Sequence, residues 1–236
     1  MALSGNKFGL LIGLLLAIAI AFFPLRLVFV VADAEQHGVS ARAVEGTIWN
    51  GSVRDLRLGA LNIGDLDMGA RFWSIFVGRL SLDLYDTNKE RASTGNVQLS
   101  SGSYKIENLD IEVTANAAGI GNLVKTIEFQ NLSANVTDEK CKQASGQLRL
   151  TIGPNPLGLN LKNGLLGSAS CKDDALFFLL KSQSATEEVH LSLTANGGYN
   201  GKLIINKNSL QDARLLSQLG FEASGENLER SFSGSF

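Results

Sequence analysis

The side chains able to do chemistry are few, and their spacing predicts no catalytic or metal site. The two histidines, His37 and His190, stand at a predicted helix end and on the polar side of a predicted strand. The sequence holds no HExxH pair, nucleophile elbow or Walker loop, and the run 119–124 lacks the third glycine of a dinucleotide loop. We therefore expect a protein that is not an enzyme and binds no metal or cofactor.

Cys141 and Cys171 are the informative pair. A CxxC spacing is absent, and two cysteines alone cannot complete a zinc site. Outside the cytoplasm two cysteines most often pair, and a bond between these two would stabilise the fold by roughly 3.5–4 kcal/mol in the loop-entropy model. Two free, buried thiols are the alternative.

The segment 8–25 holds no charged residue and, as a helix, would be roughly 27 Å long, close to the apolar thickness of a bilayer. We predict a transmembrane anchor over residues 8–31, with 1–7 in the cytoplasm and the remaining chain outside it. One alternative is a cleaved signal peptide with Lys7 before its apolar region and a small-residue site at 19–21. Another is a buried helix of a soluble protein.

Composition excludes nucleic acid as the expected partner. The formal net charge is −2, and no basic patch is interleaved with aromatic residues. Glycine is abundant, with 25 residues, and proline is scarce, with three, which is typical of many short strands joined by turns.

Beyond residue 38, apolar and polar residues alternate with a period of two, as in 80–85, and Gly and Asn separate the runs. About eleven to thirteen short strands close in sequence predict antiparallel pairing. The expected fold is mainly β: the anchor helix, then an elongated, twisted antiparallel sheet or incomplete sandwich over 39–221. A short C-terminal helix is expected at 209–219, and residues 222–236 are expected to be a disordered tail.

Residues 72–80 form the most apolar run beyond the N-terminal segment. We interpret this run as a short helical turn or crossover between strands. Because Trp73 and Phe76 are large and apolar, we expect both side chains to pack in the core.

A run of β-forming residues at 44–52 ends in an Asn-Gly pair, which is a strong hairpin signal. We expect a strand in which Trp49 packs in the core, followed by a turn at Asn50 and Gly51. The candidate motif consists of Gly46, Thr47, Ile48, Trp49, Asn50 and Gly51.

These residues, in this order, resemble protein N of the bacterial type II secretion system. That family has a short cytoplasmic N-terminus, one anchor and a G-T-[aliphatic]-W-x-G motif, which is 46–51 here. Ile63-Gly64-Asp65-Leu66, Gly78-Arg79-Leu80 and the later cysteine pair are also similar. The second tryptophan of the family is replaced by Met68 or displaced to Trp73.

The resemblance implies an accessory component of the cell inner membrane that crosses the lipid bilayer once. Its periplasmic domain would dock other type II secretion proteins, either the secretin or the inner-membrane platform, and support export of folded exoproteins across the outer membrane. The alternative is an AsmA/TamB-like envelope protein that cradles a lipid ligand in an apolar β-groove. A continuous open apolar trough would favour the lipid function, and a closed, packed core would favour docking.

Overall fold

The computed structural model describes residues 4–31, 38–59, 61–86, 94–115, 124–153, 163–207 and 220–235. The helices are α1 (Ser4–Ala21), α2 (Leu25–Val31) and α3 (Phe72–Phe76). The strands are β1 (Val39–Ser40), β2 (Ala43–Thr47), β3 (Asn50–Leu58), β4 (Leu61–Ala70), β5 (Leu80–Asp86), β6 (Thr94–Ser100), β7 (Ser103–Ala115), β8 (Val124–Thr137), β9 (Lys140–Ile152), β10 (Leu165–Lys172), β11 (Ala175–Lys181), β12 (Glu187–Leu193), β13 (Gly198–Asn206), β14 (Glu222–Ser224) and β15 (Asn227–Ser235).

All fifteen strands of the described chain belong to one antiparallel sheet, so the mainly β prediction is confirmed. The order is β1-β3-β4-β5-β6-β7-β8-β9-β10-β11-β12-β13-β15-β14, with β2 paired to β3 beside this path. From β3 to β13 each strand pairs with its neighbours in sequence, because short connections favour hairpins. The β2–β3 and β4–β5 connections therefore lie at one end of the sheet, and the β3–β4 connection lies at the other.

The apolar face of the sheet packs into three buried clusters. The side chains that are 0% exposed are Val53, Leu148, Phe178, Leu180 and Ile205. The largest cluster runs from β8 to β12, a second lies under β3 and β4, and a third joins β13 to the C-terminal strands. Alternation along each strand produced these clusters, since every second side chain faces the same side of the sheet.

The N-terminal helical segment is broken, so the prediction of one helix over 8–31 is wrong. Between α1 and α2, Pro24 forms an isolated antiparallel bridge with Thr47, and the Phe23 carbonyl accepts a hydrogen bond from the Ile48 N–H at 3.0 Å. Proline cannot donate the amide that a continuing helix needs. Among the residues described, no helix combines the length and the apolar composition that crossing a membrane requires.

The C-terminal residues form strands, so the prediction of a disordered tail over 222–236 is wrong. All of β15 pairs with β13, from Gly198↔Ser235 to Asn206↔Asn227, and β14 pairs with the first residues of β15. Phe221 and Leu228 are each 5% exposed and pack with Ile205. Backbone pairing to an open sheet edge stabilises this segment, which has few apolar residues of its own. The predicted helix at 209–219 lies outside the described residues.

Candidate functional site

The β2–β3 hairpin carries the motif 46–51 and turns at Ile48 and Trp49. Thr47 pairs with Asn50, whose N–H donates to the Thr47 hydroxyl at 3.4 Å, and Gly46 pairs with Gly51. The predicted turn at Asn50 and Gly51 is therefore wrong, because both residues already belong to β3. The close pairing of the two glycines fixes the register of the hairpin.

Both glycines of the motif meet a steric requirement. Gly46 has φ +81°, a backbone conformation that favours glycine. A Cβ on Gly51 would lie 2.5 Å from Cδ2 of Leu25 and 2.7 Å from the Thr47 carbonyl oxygen. The absence of that Cβ allows Leu25 of α2, which is 3% exposed, to pack directly on the hairpin.

Trp49 connects the hairpin to the last turn of α1. Its indole Nε1 donates a hydrogen bond to the Ile20 carbonyl at 2.9 Å. The neighbouring Ile48 donates to the Phe23 carbonyl through its N–H and accepts from the Ala70 N–H at 2.7 Å through its carbonyl. We call this contact region, formed by residues 20–25 and 46–51, the N-terminal joint.

An exposed aromatic surface lies beside the N-terminal joint. The Trp49 ring is 5.3 Å from the Phe72 ring, which is 5.6 Å from Trp73 and 5.1 Å from Phe76 between centroids. Trp73 is 79% exposed and Phe76 is 69% exposed. We define the aromatic surface as Trp49, Phe72, Trp73, Ile75, Phe76 and Val77.

The prediction that Trp73 and Phe76 pack in the core is wrong, although the predicted short helix is confirmed as α3. No residue of α3 is buried, because the helix is five residues long and lies at the end of the sheet instead of on its apolar face. Trp49, which was also expected in the core, is half-buried at the edge of the aromatic surface.

A polar network holds the start of α3. The Arg71 guanidinium donates two hydrogen bonds to the Asp83 carboxylate, at 2.8 and 2.7 Å, and the Asn96 amide donates to the same carboxylate at 2.8 Å. The bond from Arg71 keeps the pKa of Asp83 below its ordinary value, against the opposing effect of burial. The Asn96 amide also donates to the buried Ser81 hydroxyl at 3.0 Å.

Backbone bonds tie α3 to the same network. The Arg71 N–H donates to the Ser81 carbonyl at 2.9 Å, the Ser74 hydroxyl donates to the Arg71 carbonyl at 2.6 Å, and the Ser81 N–H donates to that hydroxyl at 3.2 Å. The aromatic side chains of α3 are thus presented to solvent by a fixed support. No sequence motif predicts this arrangement. The signal that could have indicated it is the presence of Arg71 and Asp83 on either side of the apolar run.

Cys141 and Cys171 form the expected disulfide, with their Cα atoms 5.4 Å apart. The bond joins the start of β9 to the end of β10, next to the hydrogen bond from the Cys141 N–H to the Asp174 carbonyl at 2.8 Å. It lies away from the aromatic surface and supports the sheet.

The structure describes one of the two histidines. His37 lies outside the described residues. His190 is on the polar face of β12, where its Nε2 lies 3.3 Å from a Glu188 carboxylate oxygen and its ring meets Phe177. A shallow cavity of about 430 Å³ beside it is lined mainly by Ser192, Asn200, Lys202, Ser231 and Ser233.

The outer edge of β15 is a further feature of this molecule. β14 pairs with residues 227–229 of β15, whereas β13 pairs with the whole strand. Among the described residues, 230–235 therefore have a paired inner side and an unpaired outer side. Such an edge presents backbone N–H and C=O groups to an incoming strand.

Comparison with known families assigns the chain. The family model for protein N of the type II secretion system matches residues 37–227, well over half of the chain. The chain belongs to the type II secretion system protein N family. No curated protein and no solved structure matches it.

The match to the protein N family covers several of the features described above, but it does not include residues 20–25 of the N-terminal joint or the β15 edge at 230–235. It includes the motif 46–51, α3 and both cysteines, and it begins after α2. Membership of this family makes the chain a component of type II secretion, an accessory part of a protein-transport system of the cell envelope. Other components of that system are the partners that membership implies.

Proposed function

We propose that this member of the protein N family is a non-enzymatic docking component of the type II secretion system. Its sheet domain, in the periplasm, binds another secretion component, the secretin or the inner-membrane platform, and so supports export of folded exoproteins. The observation that carries this proposal is the family match over 37–227.

The outer edge of β15 is the docking surface that we propose. A partner strand added beside 230–235 would satisfy the backbone groups that β14 leaves unpaired. This segment reads RSFSGS, and its exposed Ser231, Ser233 and Ser235 keep the edge polar in the absence of a partner. Main-chain hydrogen bonds would supply affinity, and the flanking side chains would supply selectivity.

The packed core supports docking over lipid cradling. A lipid-binding sheet needs an open apolar trough, but Leu148, Phe178 and Leu180 in the middle of the largest cluster are fully buried. Their dispersion contacts are already made within the protein, which leaves no gain for an acyl chain at these positions. The AsmA/TamB-like alternative is not supported.

Two features support a periplasmic location at the inner membrane. The Cys141–Cys171 disulfide fits an oxidising compartment. Apolar side chains of α1, including Leu10 and Leu14, are exposed, as is Phe22 directly after it, and contact with lipid would remove them from water. We propose that α1 associates with the inner membrane and holds the sheet domain beside it.

A proline scan across 231–234 tests the docking surface. In a strand, alternate N–H groups point to opposite sides, so proline is tolerated where the N–H points outward and disrupts pairing with β13 where it points inward. We expect the substitutions that preserve the melting temperature of the protein to abolish secretion of an exoprotein in a deletion strain. Alanine variants at the same positions keep the backbone N–H and control for the change of side chain.

The scan contradicts the proposal if variants at 231–234 that retain the wild-type melting temperature also retain wild-type secretion. Loss of secretion only in variants that unfold would likewise count against an edge-docking role. Cellular abundance of each variant is measured by immunoblot so that secretion is compared at equal protein level.

A further inference from the structure

We propose that the aromatic surface is a membrane-interface contact, in which α3 rests among the lipid headgroups at the end of α1. This inference rests on the proposed placement of the domain beside the inner membrane. The aromatic surface would be a second attachment point, distinct from α1 and from the β15 edge. Two attachment points would fix the orientation of the sheet relative to the bilayer.

The composition of α3 and its flanks suits the interface. Residues 72–78 read FWSIFVG and carry no charge, and they present Trp73 and Phe76 to solvent. Tryptophan and other aromatic rings concentrate at the boundary between headgroups and acyl chains, because part of the ring is apolar and part is polar. Exposure of such rings on a fixed support has a cost in water that lipid contact would remove.

The position of α3 is continuous with α1. Trp49 contacts Phe72 with its ring and the Ile20 carbonyl with its Nε1, so one side chain touches both helices. The last turn of α1 and the aromatic surface therefore lie at the same level of the molecule. A bilayer that receives the exposed apolar residues of α1 would meet α3 at its surface.

Several backbone N–H groups in and after α3 are already hydrogen-bonded within the protein, as a medium of low polarity requires. The N–H groups of Ser74, Val77, Gly78 and Arg79 donate to carbonyls within 71–75, at 3.0–3.3 Å. Backbone groups that are already paired do not add a desolvation penalty on entering the interface. The Ser74 hydroxyl is also occupied, since it donates to the Arg71 carbonyl.

The charges around the aromatic surface favour anionic lipid. Arg79 follows α3 and Arg26 follows the break between α1 and α2; both side chains are exposed, and neither forms an ion pair with another described residue. The Asp83 carboxylate near α3 is neutralised by Arg71 at 2.7 Å. Long cationic side chains reach lipid phosphates while their apolar stems stay in the interface.

Depth-dependent fluorescence quenching tests this contact on the full-length chain. The sequence contains two tryptophans, so the difference between wild type and Trp73→Phe isolates the signal of Trp73 and leaves Trp49 intact. The protein is reconstituted in vesicles of phosphatidylethanolamine and phosphatidylglycerol, with lipids brominated near the headgroup or near the chain end. We expect Trp73 to be quenched most strongly by bromine near the headgroup and to emit at shorter wavelength than tryptophan in water.

A matched control places a tryptophan where no lipid is expected. Leu166 is an exposed apolar residue at the start of β10, at the opposite end of the sheet from α3. In the Trp73→Phe background, Leu166→Trp should add fluorescence that brominated lipid leaves unquenched. Arg79→Gln should reduce the quenching of Trp73 in vesicles that contain phosphatidylglycerol and leave it unchanged in vesicles of phosphatidylethanolamine and phosphatidylcholine.

Absence of quenching at Trp73, or quenching equal to that of the Leu166→Trp control, would overturn the inference. A photo-crosslinker at position 73 that captures a secretion protein in cells would also overturn it, because the surface would then bind protein. Secretion and the proline scan on β15 are separate readouts. If they behave as proposed while Trp73 stays unquenched, the docking function stands and this inference alone fails.

Discussion

Single side chains decide how the N-terminal helices meet the sheet. The Trp49 ring nitrogen donates a hydrogen bond to the Ile20 carbonyl near the end of α1, which also accepts one from the Phe23 N–H at 3.3 Å. Gly51 gives Leu25 the space to pack against the hairpin. The motif 46–51 thus contains the residues that contact the N-terminal helices.

Trp49→Phe should loosen the N-terminal joint without displacing the aromatic surface. Phenylalanine keeps the ring contact with Phe72 and removes the hydrogen bond to Ile20, a net loss of about 1 kcal/mol. We expect faster hydrogen exchange of the Ile48 amide, measured by mass spectrometry on the detergent-solubilised chain. Trp73→Phe, which removes no hydrogen bond in the described structure, should leave that exchange unchanged, and an unaltered Ile48 amide in Trp49→Phe would contradict the role of the bond.

Asp83 makes part of the stability depend on pH. Because its pKa is lowered in the folded protein, chiefly by the hydrogen bond from Arg71, its contribution is complete above the unfolded-state pKa of about 3.9 and is lost as the pH falls through the lower folded value. Asp83→Asn should lower the free energy of unfolding at neutral pH by up to about 1 kcal/mol, since Arg71 is largely exposed.

The same substitution should flatten the acid limb of the stability profile, as measured by urea unfolding between neutral pH and about pH 2. Asp173→Asn, in the exposed β10–β11 turn, is the control and should follow wild type. Parallel profiles for wild type and Asp83→Asn would show that the Arg71–Asp83 pair contributes nothing that depends on the ionisation of Asp83.

Among the elements, β8 to β11 form the part of the sheet that the disulfide reinforces. Cys141 and Cys171 lie 30 residues apart in sequence and connect β9 to β10 close to the β8–β9 and β10–β11 turns. Only residues 165–168 of β10 pair with β9. The disulfide at Cys171 therefore holds the later part of β10 close to β9, where no backbone pairing does so. The two hairpins can therefore separate more easily without it.

Replacing both cysteines by alanine should lower the free energy of unfolding by about 3–4 kcal/mol, because the unfolded chain regains the freedom of a loop of roughly 30 residues. The measurement is urea unfolding without reductant. Reductant should destabilise wild type by a similar amount and have no effect on the double variant. Equal unfolding midpoints for wild type and the double variant would refute a stabilising role for this bond.

Two close contacts between glycine and an aromatic ring lie between β13 and β15. Gly201 pairs directly with Phe232, and a Cβ on Gly201 would overlap the Phe232 ring. Tyr199 covers Gly234 in the same way. Each aromatic ring occupies the space that a side chain on the facing glycine would fill, which fixes the register of the two strands.

Gly201→Ala should destabilise the protein by about 1–3 kcal/mol, because the Phe232 ring must move. Phe232→Ala removes the obstacle, so Gly201→Ala should cost much less in that background. A double-mutant cycle in urea measures the coupling between the two residues. Additive effects would contradict direct packing of the ring on Gly201.

For the whole molecule, strand periodicity predicted the sheet well because alternation is a local property. The alternation at 80–85 predicted a strand, and the structure has β5 there (Leu80–Asp86). Segment 222–236 was mispredicted because Leu228 and Phe232 provide little apolar surface, and an existing sheet edge supplies the rest. The composition of a segment does not show whether a strand distant in sequence has an unpaired edge to which the segment can bind.

The candidate site was found only in part for the same reason. The motif 46–51 was visible, but its turn lies at Ile48 and Trp49 because Phe23 and Pro24 pair with that hairpin. The apolar run 72–80 predicted a buried element, since the sequence does not show whether a second layer covers it. Trp73 is exposed because the sheet ends there.

Site-specific photo-crosslinking in secreting cells tests most directly the claim that this chain docks another secretion component through β15. A benzoylphenylalanine replaces Ser233 at the edge or Lys125, an exposed strand position on β8, and the adducts are identified by mass spectrometry. The account predicts one adduct with the secretin or an inner-membrane platform protein from position 233 and none from position 125. No adduct from 233, or the same adducts from both positions, would contradict it.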